Sequence, residues 1–380
     1  MDMKITIVTS IQSGRSQSRG IYDVIIDSFS HFTDDLCILS GENFVTVAHQ
    51  YGPEDILLFA NINFNFMPRR QLEKILSQVC AYKVYVGFDD EYKLYETAYY
   101  SQFVDLLVTF DLVAFEYFRS IGRNVIICPH PVDVLDVTLR SEYRFDLSFI
   151  GQISSVDQSR YNYLTMLKDR YPNSFFPGLD GIGLNESDVR DVYFNSKINL
   201  NFTAVTDKSN HLKLPFSNYR RGFKGRPMEI GASRGFCLSE FSPSIQNFFF
   251  PKHDLDYFYD SNDLIEKIDY YIANDRARCL MQGNIFLKVS NYYSASSPLN
   301  LFANKIIEAS RSNRRRAGGI DCSGKCFSVE LDYERLLYIF KFRGALEFIS
   351  AWFLLLTQSK ISFFYVNINI LKNIVARFFK

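Results

Sequence analysis

The chain has 380 residues, enough for two domains of ordinary size with a sizeable core in each. It contains 42 lysine and arginine residues and 42 aspartate and glutamate residues, so its formal net charge is zero. Residues 311–380 carry 12 basic and 5 acidic side chains, and residues 1–310 are correspondingly acidic. An acidic body with a basic end argues against a dedicated nucleic-acid binder and predicts that the end has its own partner.

The seven cysteines are odd in number, and most of them lie in apolar segments. This usage favours a reducing compartment and buried thiols over a disulfide framework. Cys322 and Cys326 are close enough to bind a metal together, but no second Cys/His pair lies nearby, so we predict no metal site. The N-terminal MDMKITIVTS lacks the apolar stretch of a signal peptide and reads as a first core strand, which predicts a cytoplasmic protein.

The first part of the chain alternates short β-branched runs with helical patterns, which predicts βαβ units and a mostly parallel sheet. Pro129 and Pro131 then indicate a linker, so we place a first domain at residues 1–135. The predicted elements are a strand at 4–9, a polar loop, a helix at 21–32, a strand at 55–64, a helix at 69–82, strands at 83–90 and 103–111, a helix that stops at Gly122, and a strand at 124–134.

The same alternation restarts in RFDLSFIGQI, which predicts a second α/β domain at residues 136–311, with its last helix possibly returning to the first domain. Ligands bind outside the carboxyl ends of the strands in such sheets, and two facing domains offer a cleft. The predicted elements are strands at 144–153, 197–202 and 236–240, and helices at 159–171, 186–196, 261–274 and 277–293.

The end of the chain has a composition of its own. Residues 312–330 have the pattern of a flexible basic linker, and residues 331–380 that of an amphipathic, helical, basic and apolar tail. Its longest uncharged run, Phe348 to Ser359, falls short of the ~20 residues that span a bilayer. This composition favours helices lying on an anionic membrane surface. The alternative is packing on the body of the protein or on a second protomer.

GRPMEIGASRGFCLSEF (225–241) resembles the C-terminal half of GT-B glycosyltransferases, in the group-1, spore-maturation-protein-like branch. In that branch an arginine precedes a glutamate by three positions, and small residues and a strand follow. FDLSFIGQ and SKINLNF are similar to the first strand and the strand before the donor loop of the donor domain. The resemblance implies an α/β fold of two Rossmann-like domains facing a cleft, here with the C-terminal helical tail added.

The resemblance implies a site for a nucleotide sugar in the second domain. Glu229 would hold the ribose hydroxyls, and Arg226 would stabilise the departing diphosphate. The alternative is that Glu229 and Arg226 have only a structural role, as a helix cap or a surface ion pair. Further candidates for donor binding are Lys224, Arg221, Gly151, Arg160, His211 and Glu240.

One position departs from the family. Many retaining enzymes of this fold have a glutamate before Glu229 that contacts the donor sugar, whereas Arg221 stands in that region here. The stereochemistry and the donor sugar are therefore open. With arginine and lysine side chains and backbone N–H groups to stabilise the diphosphate, we predict that neither a metal nor another cofactor is needed.

The acceptor side is predicted at the other half of the cleft. Asp89 and Asp90 follow a predicted strand, where a carboxylate can act as a general base, although aspartates there are also common turn formers. The loop after the first strand, with Ser13, Gly14 and Arg15, suits acceptor or phosphate contacts and is also ordinary loop composition. His130 lies near the presumed cleft and is more typical of a structural histidine.

The sequence thus predicts a metal-independent glycosyltransferase of the hexosyltransferase class. It would move a sugar from a nucleotide sugar to a saccharide acceptor, which the tail suggests is lipid-linked, in bacterial surface polysaccharide (such as lipopolysaccharide) or glycolipid assembly. We expect a cytoplasmic protein, peripheral at the inner face of the plasma membrane, with self-association through the tail possible. The alternatives are a non-catalytic sugar- or nucleotide-binding scaffold and a sugar-nucleotide epimerase.

Overall fold

The computed structural model describes residues 3–9, 21–60, 69–88, 90, 94, 97–98, 100–134, 142–151, 153, 158–203, 222–223 and 225–317. In these residues the first unit is built on a parallel sheet of six strands. The strands are β1 (Ile5–Thr9), β2 (Leu36–Ser40), β3 (Ile56–Ala60), β4 (Tyr82–Gly87), β5 (Leu106–Thr109) and β6 (Val125–Ile127). Their order is β2-β1-β3-β4-β5-β6, so the direction of chain progress reverses between β1 and β3.

The second unit is built on a parallel sheet of five strands. These are β7 (Phe145–Ser148), β8 (Ser174–Phe175), β9 (Ser196–Asn201), β10 (Cys237–Glu240) and β11 (Asp256–Phe258). In the order β11-β10-β9-β7-β8, the direction of progress reverses between β7 and β9. A sheet of this kind binds its ligand at that reversal, outside the carboxyl ends of the two strands.

Helices cover both sheets. Within the described residues they are α1 (Ile21–Asp27), α2 (Gly41–Val47), α3 (Arg69–Gln78), α4 (Leu112–Ser120), α5 (Gln158–Arg170), α6 (Glu186–Phe194), α7 (Arg226–Ala232), α8 (Pro243–Gln246), α9 (Ser261–Ala273), α10 (Asp275–Tyr292) and α11 (Leu301–Ala317). Side-chain caps start several of them; Asp111 Oδ1, for example, accepts a hydrogen bond from the Ala114 N–H at 2.9 Å.

The last helix, α11, returns to the first unit. The ring of Phe302 lies 6.1 Å from that of Phe29, and Lys305 Nζ donates to the Ile127 carbonyl at 3.1 Å. The helix continues to Ala317, into the stretch 312–330 for which the sequence predicts a linker. Arginine and alanine are good helix formers, and cations are favourable near a helix C-terminus, which accounts for the extension.

The chain crosses between the units at two neighbouring places. Val132, in the connection after β6, donates its N–H to the Tyr293 carbonyl at 2.9 Å and accepts from the Ala295 N–H at 3.0 Å. A third contact joins α4 to α8: the Leu112 N–H donates to Ser244 Oγ at 2.9 Å, and this hydroxyl donates to Asp111 Oδ2 at 3.3 Å. The two crossings therefore run side by side.

The fold class predicted from the sequence, two parallel α/β units, is confirmed. The strands β2, β8 and β11 and the helices α2, α8 and α11 were not predicted. Residues 331–380, the predicted amphipathic tail, lie outside the described residues. Among the helices of the described part of the chain, none is both long enough and apolar enough to cross a membrane.

Candidate active site

A cavity of about 520 Å³ lies where the two units meet. It is lined by residues of five segments. These are Ile21 and Val24 of α1; His130 to Asp133 of the connection; Glu186, Val189, Arg190 and Tyr193 of α6; and Gly225, Arg226, Glu229, Ala232 and Ser233 on and beside α7, together with Ile150 after β7.

Helix α7 is fixed against its neighbours by close packing. A Cβ at Gly231 would lie 2.8 Å from Val289 Cγ2 and 2.9 Å from Ile285 Cγ1 of α10, so only glycine allows the two helices to approach this closely. Pro227 is favourable in the first turn of a helix. With its other face buried, α7 turns Arg226 and Glu229 towards the cavity.

Arg226 spans the reversal point of the second sheet. Its Nη1 donates to Oδ1 of Asn201, the last residue of β9, at 2.8 Å. Its guanidinium also lies 4.8 Å from the ring centroid of Phe149, which directly follows β7. The cation is therefore held across the carboxyl ends of both strands, where sheets of this order bind ligands.

Gly151 and Arg160 lie beside this cation. A Cβ at Gly151 would be 2.5 Å from Arg226 Nη2, so the guanidinium rests directly against the glycine backbone. The guanidinium of Arg160, on α5, lies 5.8 Å from the same Phe149 ring. The structure thus brings together three of the predicted donor-binding residues, although only Arg226 among them lines the cavity.

Glu229 is exposed into the cavity, one turn beyond Arg226. Tyr193 Oη lies 3.5 Å from Glu229 Oε2. Burial, aided by the Glu229 carboxylate, raises the pKa of Tyr193 well above its usual value, so this phenol stays protonated and can donate to the carboxylate. Glu229 is otherwise exposed to the cavity, and a carboxylate presents two acceptor oxygens, which suits recognition of a diol.

His130 reaches the cavity from the connection between the units. Its Nδ1 lies 3.0 Å from the Pro131 carbonyl, and its ring packs at 5.6 Å from Phe110 and 6.3 Å from Phe88. Burial lowers the pKa of His130, and it outweighs the Pro131 carbonyl and the Glu229 carboxylate, which both raise that pKa. The imidazole is therefore neutral at neutral pH.

Two predicted residues lie away from the cavity lining. The Asp90 carboxylate is buried and accepts hydrogen bonds from Thr97 Oγ1 at 2.6 Å and from Thr109 Oγ1. Glu240 is also buried, and its Oε2 accepts from the N–H of Thr203 at 2.8 Å and from its hydroxyl at 3.2 Å. Both carboxylates hold strand ends in place, which is the ordinary structural use of such groups.

Several predicted residues fall outside the described part of the chain. They are Ser13, Gly14, Arg15, Asp89, His211, Arg221 and Lys224. Within the residues that are described, no group of three or more His, Cys, Asp or Glu side chains is arranged to hold a metal ion.

The structure adds residues to the site that sequence reasoning missed. Tyr193, Asn201 and Phe149 support Arg226 and Glu229, and Asp133, Glu186 and Arg190 line the cavity. Asn201 and Phe149 lie at the carboxyl ends of strands, which is where parallel sheets bind ligands, so their position could have been predicted. The sequence contains no pattern that assigns Tyr193, Glu186 and Arg190 to the site, because their helix has the pattern of an ordinary amphipathic helix.

The comparisons with known proteins agree with this architecture. Residues 139–297, the core of the second unit, match the family model described as glycosyl transferase-like. HepE of Anabaena, solved in complex with UDP-glucose, is 10% identical; the alignment covers 81% of this chain and 99% of HepE, with a TM-score of 0.54. Sucrose-phosphate synthase of Thermosynechococcus elongatus is 9% identical, with coverage of 83% and 99% and a TM-score of 0.50. No curated protein matches the sequence.

At these identities the similarity to solved structures establishes the fold, which is GT-B, and the match to the glycosyl transferase-like family covers residues 139–297. Both findings agree with the resemblance to GT-B glycosyltransferases in the sequence. The spore-maturation-protein-like branch stays a prediction.

Proposed function

We propose that the protein transfers a sugar, a hexose in our expectation, from a nucleotide sugar to a saccharide acceptor. The observation that carries the proposal is the placement of Arg226 across the ends of β7 and β9, with Glu229 one turn further along the cavity. A cation at the strand ends suits a diphosphate, and a carboxylate exposed to the cavity suits the two hydroxyls of a ribose.

In the proposed reaction, Arg226 has to stabilise the negative charge of the leaving diphosphate. When the bond between the sugar and the diphosphate breaks, negative charge grows on the leaving oxygen, and a fixed guanidinium stabilises it. Arg226 needs little reorganisation for this, because Asn201, Phe149 and Gly151 already hold it. With this cation and the basic side chains predicted nearby, the reaction as proposed needs no metal ion.

A nucleotide-sugar donor is further supported by HepE, whose structure contains UDP-glucose in the same fold at 10% identity. We therefore suggest UDP-glucose as the first donor to test, followed by other UDP- and GDP-linked hexoses. Binding is measured by isothermal titration calorimetry. Turnover is measured as release of the nucleoside diphosphate, with and without candidate saccharide acceptors.

The decisive variant is Glu229→Gln, matched by Glu266→Gln on the exposed face of α9, away from the cavity. We expect Glu229→Gln to weaken binding of the nucleoside diphosphate roughly tenfold or more, since hydrogen bonds to a charged group contribute about 1.5–3 kcal/mol. Glu266→Gln should bind as the wild type does. Equal affinities of the two variants would show that Glu229 does not bind the nucleotide. In the turnover assay, formation of an altered sugar nucleotide without any acceptor would favour an epimerase. Binding of the nucleotide sugar without turnover would favour a non-catalytic scaffold.

The acceptor and the location are a separate proposal. The basic and apolar composition of residues 331–380 supports a lipid-linked acceptor at an anionic membrane surface, in surface polysaccharide or glycolipid assembly. A protein ending at Ala317 keeps α11, which packs on the first unit, and is the appropriate truncation. Full-length protein should sediment with anionic liposomes and the truncated form should not; sedimentation of neither would refute the membrane proposal.

A further inference from the structure

We propose that Asn201 and Ser239 are positioning residues that hold the Arg226 guanidinium without neutralising it, so that its whole charge is available to a diphosphate. This inference rests on the function proposed above. It deepens that function, because it gives two buried side chains of the second sheet a part in binding the phosphate groups of the donor.

The two side chains lie beside each other where neighbouring strands end. Asn201 is the last residue of β9, and Ser239, the third residue of β10, is its partner in the register of the sheet. Both residues are completely buried. A buried polar side chain is costly unless its donors and acceptors are paired, so the partners of these two side chains define their role.

The arginine fixes the direction of the hydrogen bonds in this cluster. A guanidinium can only donate, so the amide atom that lies 2.8 Å from Arg226 Nη1 must be the oxygen of Asn201. The amide nitrogen then faces Ser239 and donates to its Oγ at 2.9 Å. The Ser239 hydroxyl donates in turn to the Glu240 carbonyl, 2.9 Å away. Ser239 therefore keeps the amide from turning over, which would place N–H groups against the cation.

The contacts that hold the guanidinium are uncharged. Asn201 offers an amide oxygen, Phe149 the face of its ring at 4.8 Å, and Gly151 its backbone. Within the described part of the chain, Arg226 forms no ion pair with a carboxylate, including that of Glu229 one turn further along α7. A carboxylate at position 201 would also accept from Nη1, but its charge would offset the attraction of the cation for a phosphate group. The neutral amide holds the cation and leaves its charge in place.

The test variant is Asn201→Asp, which keeps the shape of the side chain and an acceptor for Arg226 and adds a negative charge. The Ser239 hydroxyl can rotate to donate to the second carboxylate oxygen, so we expect a folded protein. A tether with a purely structural role would work with either residue. Asn291→Asp, on the exposed face of α10 and outside the cavity lining, makes the same change of charge and is the matched control.

The experiment compares the affinity for a nucleoside diphosphate with that for its nucleoside, with UDP and uridine as the first pair and GDP and guanosine as the second. Calorimetric titration measures the diphosphates, and NMR titration measures the nucleosides. We expect Asn201→Asp to weaken binding of the diphosphate roughly tenfold or more and to leave nucleoside binding unchanged, since only the diphosphate meets the cation. Asn291→Asp should bind both ligands as the wild type does.

Ser239→Ala is a second variant, which decides the question if Asn201→Asp does not fold. It leaves the charge of the cluster unchanged but removes the acceptor that fixes the Asn201 amide. We expect several-fold weaker binding of the diphosphate and unchanged binding of the nucleoside. Melting temperatures of all variants show whether the fold is retained.

The outcomes separate the inference from the proposed function. Wild-type affinity of Asn201→Asp or of Ser239→Ala for the diphosphate would overturn the inference and leave the proposed function standing. Equal losses of affinity for diphosphate and nucleoside would also overturn it, because they would indicate a purely structural role. A wild-type protein that binds neither UDP nor GDP would overturn the proposed function and the inference with it.

Discussion

Arg226 Nη1 and Asn201 Oδ1 form a hydrogen bond of 2.8 Å between the first residue of α7 and the last residue of β9. The bond ties the cation to the sheet independently of the chain between residues 203 and 222, most of which lies outside the described residues. Because the guanidinium is planar and also rests on Phe149, its free N–H groups keep one direction.

We predict that Arg226→Lys weakens binding of UDP roughly 10- to 100-fold, because an ammonium cannot bond to Asn201, lie over Phe149 and bind phosphate together. Arg144→Lys is the matched control, since Arg144 is exposed and pairs with Asp191 outside the cavity. Calorimetric titration of both variants measures the difference. Arg226→Lys with the affinity of Arg144→Lys would mean that Arg226 only supports the fold.

A second prediction concerns Gly151. In Gly151→Ala the new Cβ would stand 2.5 Å from Arg226 Nη2 and 2.9 Å from Phe149 Cζ. The arginine end is the more movable of the two, so we expect a folded protein with a displaced guanidinium and several-fold weaker nucleotide binding.

The control for this substitution is Gly183→Ala, where no atom of the described residues beyond its chain neighbours lies within 4 Å of the added Cβ. Melting temperatures and nucleotide affinities of both variants are compared with the wild type. Gly151→Ala with full affinity would show that the guanidinium does not need to rest on the glycine backbone.

The third prediction is a dependence of stability on pH. Asp254 is buried, which raises its pKa, but hydrogen bonds from Lys288 Nζ at 2.7 Å, the Phe250 N–H at 2.8 Å and His253 outweigh the burial and leave the pKa lowered. A lowered pKa means that the stabilisation is fully present above the unfolded value of about 3.9 and is lost as the pH falls towards the folded value.

We therefore expect Asp254→Asn to lower the free energy of unfolding by about 2–3 kcal/mol at pH 7, since it leaves the Lys288 ammonium without its carboxylate. Urea unfolding should give a constant difference from the wild type between pH 7 and 5, which narrows below about pH 4. Asp269→Asn, at an exposed ion pair with Arg170, should have a much smaller effect. If the difference in unfolding free energy between Asp254→Asn and the wild type grew as the pH fell, the lowered pKa of Asp254 would be contradicted.

The sequence predicted the elements whose patterns are long or bounded by clear signals. The helix that stops at Gly122 ends there, with φ +73° at the glycine, and the strand at 197–202 is β9. Strands β2 and β11 were missed because LCILS and DYF are short and mix apolar with polar residues. Their identity depends on pairing with β1 and β10, which is information that a local pattern does not contain.

The candidate site was predictable where function depends on local geometry. Arg226 and Glu229 lie at the cavity as expected, because both belong to one short helix after a strand-rich pattern. Asp90 was expected at the cleft, but the Thr97 and Thr109 hydroxyls bind it inside the first unit. Tyr193 could not be assigned, because its contact with Glu229 arises from the packing of α6 on α7, 36 positions away in sequence.

The paired crossings at Val132 and at Tyr293 to Ala295 restrict how the two units move. A single connecting strand would act as a swivel, free to turn about every axis. Two crossings joined by hydrogen bonds favour rotation about one axis and oppose twisting. Since His130 stands next to these crossings and Lys305 of α11 contacts the first unit, a nucleotide bound on the second unit as proposed would approach the first unit along one path.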